Sequence, residues 1–121
     1  MDLDDTDQRA RTASGITCRA TAEGTVVTLW DEVDAALREP ASEAMALLAT
    51  RGIGTPVIID ANDVTFIDSS GVAFILQVYV LGQETGTPVS LRDPSEAVTE
   101  VLDMVGIGGR IPVVRAAGGP S

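Results

Sequence analysis

The sequence predicts an α/β domain built on a mixed, mostly parallel sheet of about five strands, with an opening hairpin and about three helices. Three observations carry this. Short runs rich in β-formers recur at 16–20, 25–30, 57–60, 88–91 and 111–114. From Pro40 onward they alternate with stretches of helical spacing, which implies right-handed crossovers and parallel pairing. The chain has 121 residues, 45% of them hydrophobic but only 3% aromatic, which suits one core of Val, Ile, Leu and Ala.

Residues 1–14 are polar and without periodicity and are expected to form a disordered arm. The domain proper is expected over 15–114, with a flexible tail over 115–121. Ile16 to Ala20 and Thr25 to Trp30 flank a turn at Glu23-Gly24 and read as a hairpin. An acidic loop follows, Asp31-Glu32-Val33-Asp34, and then an irregular stretch to Glu39. Pro40 suits the first turn of a helix, Ala44, Met45, Leu47 and Leu48 give it an apolar side, and Gly52 can end it. Val57 to Asp60 is a continuous apolar run of the kind found in central strands.

The stretch from Gly71 to Leu81 is apolar almost all the way round, with Gln77 the exception, so it must be covered on most sides. Pro88 to Leu91 reads as a strand. Asp93 is expected to cap the next helix, with Pro94 in its first turn and Glu96 completing a capping box. Val98, Val101, Leu102 and Val105 follow at helical spacing, and Gly106 ends the run. Pro112 confines a last strand to a sheet edge.

Charge excludes several functions. Eighteen acids against eight bases give a formal net charge of −10, and every base is an arginine. Such a surface suits neither a nucleic-acid backbone nor an anionic membrane. No histidine and no lysine are present, so Ser-His-Asp and Ser-Lys sites and the P-loop lysine cannot be built. Cys18 is the only cysteine, which excludes an internal disulfide and fits a reducing compartment. No run approaches the length of a membrane span, and the acidic N-terminus is unlike a signal peptide, so the expected location is cytoplasmic. Asp31, Glu32, Asp34, Asp60, Asp63 and Asp68 read as solvated loop residues and caps, with no metal or cofactor expected. The chain is therefore read as a non-enzyme.

The stretch that remains is Val64 to Val72, with Asp68-Ser69-Ser70-Gly71 at its centre. Asp68 or Ser69 should cap the following helix. A hydroxyl there sits at the positive end of the helix dipole, beside backbone N–H donors expected to accommodate a phosphate. By themselves these four residues are also what any helix cap looks like.

With its surroundings, the stretch resembles the STAS domain family, and within it the bacterial anti-sigma-factor antagonists. The resemblance rests on the apolar strand ending in Asp60, on Val64, Phe66 and Asp68 to Gly71, and on the apolar helix behind them. It continues through Asp93-Pro94 to Asp103-Met104-Val105-Gly106-Ile107. It implies a regulator that, unphosphorylated, binds an anti-sigma factor with serine kinase activity of the GHKL ATPase type and so releases the sigma factor. It places the phosphorylated serine on Ser69, with Asp34, Asp68, Ser70 and Gly71 as switch neighbours. Glu32, Val33, Val72 and Ile75 are the implied partner contacts. A PP2C-type phosphatase would reverse the modification.

Asp31 stands where the family usually has glycine, and the family usually adds a helix after the last strand. The second departure points to self-association, as in a homodimer. Other readings are a STAS scaffold or ligand-sensing module that is never phosphorylated, stressosome-like or transporter-regulator-like, and a nucleotide-binding domain.

Overall fold

Strand β1 (Gly15–Thr21) and strand β2 (Gly24–Val33) form the expected hairpin, paired antiparallel from Gly15 opposite Trp30 to Thr21 opposite Gly24. The computed structural model describes residues 15–51 and 55–115. The expected arm, the tail beyond Arg115 and the helix stop at Gly52 lie outside the described residues. The indole of Trp30 lies over Gly15, where an added Cβ would come within 2.3 Å of the ring.

The rest is a series of parallel crossovers. A 3-10 turn (Ala35–Leu37) leads into α1 (Arg38–Arg51), then β3 (Val57–Ile67), α2 (Ser69–Thr85), β4 (Val89–Arg92), α3 (Glu96–Met104) and β5 (Val113–Val114). The five strands lie in sequence order, β1-β2-β3-β4-β5, and every pair after the first is parallel. Right-handed crossovers between successive neighbours place the three helices on one face.

The core sits between that face and the helices. Val27, Leu29, Ile59 and Leu91 point in from the sheet; Leu48, Ile75, Val78, Val98 and Leu102 meet them from the helices. Dispersion contacts among small aliphatic side chains thus fill a core that contains one aromatic ring, Phe74, 4% exposed. The opposite face carries Thr17, Arg19, Thr28, Trp30, Asp60 and Arg92. Arg92 pairs there with Glu23 at 3.0 Å and Asp60 at 3.2 Å. Burial acts against its charge, but the hydrogen bonds and charges of Asp60 and Glu23 win and raise its pKa.

Several element boundaries differ from expectation, four of them at strand ends and helix starts. The acidic stretch from Asp31 to Val33 is not a loop but the end of β2, which runs on through two register shifts. Likewise β3 does not stop at Asp60; it continues to Ile67, pairing Asp63 with Trp30 and Phe66 with Glu32. Residues Ala35 to Glu39 are a 3-10 turn and the start of α1, so Pro40 lies within the first helical turn. The cap of α3 is Ser95, not Asp93, because its hydroxyl does two jobs: it accepts from the Val98 N–H and donates to the Val64 carbonyl of β3. Leu47, expected on the apolar side of α1, is 42% exposed.

Candidate functional site

The site lies where β2 and β3 end side by side. Val33 pairs with Ile67, so the residues that follow, Asp34 and Asp68, leave the sheet as neighbours. The Asp68 N–H donates to the Val33 carbonyl at 3.2 Å, which ties the two strand ends together. In open α/β sheets this C-terminal edge is where ligand and partner sites gather.

Each aspartate caps the element after it. Asp34 Oδ1 accepts from the Ala36 N–H at 3.0 Å and starts the 3-10 turn. Asp68 Oδ1 accepts from the N–H groups of Ser70 at 2.8 Å and Gly71 at 3.2 Å and starts α2. Both caps satisfy backbone donors that a helix start would otherwise leave unpaired. Gly71 is needed for the close fit: a Cβ would sit 2.6 Å from Ile67 Cγ1 and 2.7 Å from the Val33 carbonyl. A side chain at this position would push α2 off the end of β2.

Ser69 is therefore the first residue of α2, exposed, directly after its cap. Ser70 is exposed beside it. The donors expected to receive a phosphate are already taken, because Asp68 occupies the Ser70 and Gly71 N–H groups. A phosphate on Ser69 would instead stand next to a carboxylate. Its effect is added negative charge at the surface, not a new set of bonds.

Of the expected partner contacts, only Glu32 is exposed. Val33, Val72 and Ile75 are 1%, 6% and 0% exposed, so they hold the loop from beneath and do not form its surface. The reason is their place in the fold: Val33 ends the inward row of β2, and Val72 and Ile75 lie on the sheet side of α2. The apolar group that does reach the surface is Phe66, opposite Glu32 and 50% exposed. The inward positions of β3 are 57, 59, 61, 64 and 67, so Phe66, next to the last of them, faces outward. The register shifts that break the alternation between 61 and 67 leave no mark in composition.

Asp31 adopts the left-handed conformation, φ 59°, at one of those shifts. A glycine would take it without strain. The turn thus keeps the shape a glycine would give, although the residue differs.

Chemically, the site offers two exposed hydroxyls, those of Ser69 and Ser70, and two carboxylates engaged with backbone donors. No side chain in it can take a proton from Ser69 as an imidazole or amine would. Among the described residues no cluster of three His, Cys, Asp or Glu side chains could hold a metal ion, and no helix is long and apolar enough to cross a membrane.

Comparison with known proteins bears on the family and the fold. The family model described as Mlab, STAS domain matches residues 16–115. No curated protein matches the chain. Among solved structures, the chain is similar to the anti-sigma factor antagonist SpoIIAA in its unphosphorylated form, with TM-score 0.67 and 22% identity over 87% of this chain and 90% of that one. The phosphorylated form of the Bacillus cell fate determinant SpoIIAA gives TM-score 0.65 and 23% identity, over 87% and 94%. A variant of RsbS from Moorella thermoacetica gives TM-score 0.68 and 17% identity, over 83% and 86%. At these identities the structural likeness is one of fold.

Proposed function

Since the chain belongs to the STAS domain family, we propose that it is an anti-sigma-factor antagonist, a cytoplasmic regulator switched by phosphorylation of Ser69. The carrying observation is the placement of Ser69: exposed at the first position of α2, after the Asp68 cap, with Asp34 at the neighbouring strand end. The solved SpoIIAA structures, one unphosphorylated and one phosphorylated, support the same reading.

In the unmodified state the loop presents a small neutral hydroxyl. A partner can pack against it closely without burying a charge. That partner is an anti-sigma factor that is also a serine kinase, and its binding releases the sigma factor. Phosphate transfer to the Ser69 hydroxyl adds about −1.5 to −2 charges. That charge stands beside Asp68, on a chain whose net charge is already −10. Burying it against the partner would require a matching cation there. The complex therefore weakens, while the fold, whose caps are already complete, stays as it was. A PP2C-type phosphatase removes the group and restores binding. The protein itself is a substrate and a binding module, not a catalyst.

Incubation with the kinase and ATP, followed by intact-mass measurement, tests this. The expected result is a gain of one phosphate that Ser69→Ala abolishes and Ser70→Ala leaves in place. A gain that survives Ser69→Ala contradicts the assignment.

A further inference from the structure

Beside the switch loop, α1 and α2 do not close on each other. They leave a cleft of about 420 Å³, walled by Ala41, Met45 and Ala73 above the buried Val33, Leu37 and Phe74. Small residues cause the gap: Ala41 from α1 and Ala73 from α2 face it, and neither fills it. The cleft opens directly at Ser70 and Asp34, so it is continuous with the surface that a kinase must cover to reach Ser69. Its size falls in the range of pockets that accept a compact ligand or anchor group. Arg38 stands at its mouth, exposed. Arg92 has two carboxylate partners, whereas among the described residues no carboxylate pairs with Arg38.

We propose that this cleft is the anchor point of the kinase partner, which inserts one large apolar side chain, Phe, Leu or Met, from a helix that also sets a carboxylate against Arg38. The inference rests on the reading of Ser69 as the acceptor and adds what holds the partner in register there. An apolar chain in the cleft removes from water the parts of Ala41, Met45 and Ala73 that the unbound protein leaves open. The carboxylate on Arg38 fixes the direction of the helix. Interfaces concentrate their energy in such central buried anchors, whose loss costs tenfold or more in affinity. Because the anchor lies beside Ser69 and not on it, it remains attractive after phosphorylation. The phosphate then has to overcome it, which makes the switch a competition between one apolar contact and one charge.

The test is titration of the kinase with the whole protein and with three variants. Ala73→Phe fills the cleft from an exposed helix position, Arg38→Glu reverses its charge, and Gln83→Phe places the same ring at an exposed position of α2 outside the cleft. Unfolding midpoints check that each variant folds. We expect affinity to fall at least tenfold for Ala73→Phe and for Arg38→Glu and to stay within about twofold for Gln83→Phe. Unchanged affinity in Ala73→Phe, with the unmodified protein still binding the kinase and gaining phosphate at Ser69, overturns the anchor but leaves the switch standing. Failure of the unmodified protein to bind or be phosphorylated overturns both. A dimer of this chain that Ala73→Phe dissolves gives the cleft to a second copy and also overturns the proposal.

Discussion

Asp68 does the structural work at the site, which leaves the Ser69 hydroxyl free for the modification proposed above. The carboxylate ties down two N–H groups at the start of α2, so the neighbouring hydroxyl carries no structural duty. Asp68→Ala is expected to lower stability by about 1 kcal/mol, the usual cost of a lost cap, measured by denaturant unfolding. Asp68→Asn should retain most of it, because an amide oxygen also caps. Asp31 is the opposite case. Its left-handed backbone, φ 59°, costs energy that a glycine would not incur. Asp31→Gly is expected to leave stability unchanged or raise it by up to about 1 kcal/mol in the same assay.

These residues differ in how far the sequence reveals them. Asp34, Asp68 and Ser69 are legible because each directly follows or begins an element. Val33, Val72 and Ile75 are not: a family motif fixes positions along the chain but not which way a side chain turns. Burial of all three follows from the sheet on which they pack.

At the scale of elements, the main strands and helices are legible from periodicity, and their ends are not. β2 and β3 run past the points where their apolar runs stop, because the ladder between them persists through register shifts. The extension brings Asp34 and Asp68 together, since only strands of that length end side by side. The start of α3 differs from expectation for a related reason. Asp93-Pro94 looks like a cap and first turn, but Asp93 has φ 49° and Ser95 takes the cap because its hydroxyl also reaches β3. That contact fastens α3 to the strand that leads to the Asp68 cap. Ser95→Ala is expected to cost about 1 kcal/mol, seen as a lower thermal midpoint, with no effect on phosphate transfer to Ser69.

At the scale of the whole molecule, the fold separates scaffold from signal. One aliphatic core joins the sheet to three helices. The strand ends carry the candidate site, and each cap there is completed within the chain. Fold class, strand count and the mixed sheet were legible from the order of runs. The open cleft between α1 and α2 was not, because small residues facing across a helix pair look the same in sequence whether the helices touch or part.

On the proposed reading, the net charge of −10 would give a phosphate its leverage, since each added negative charge joins a field of its own sign. The most direct measurement is the dissociation constant for the kinase partner, taken on the unmodified protein and on protein fully phosphorylated at Ser69, at one ionic strength. The expected result is a loss of affinity of at least tenfold on phosphorylation, with the unfolding midpoint unchanged. Equal affinity of the two forms would contradict a switch at Ser69.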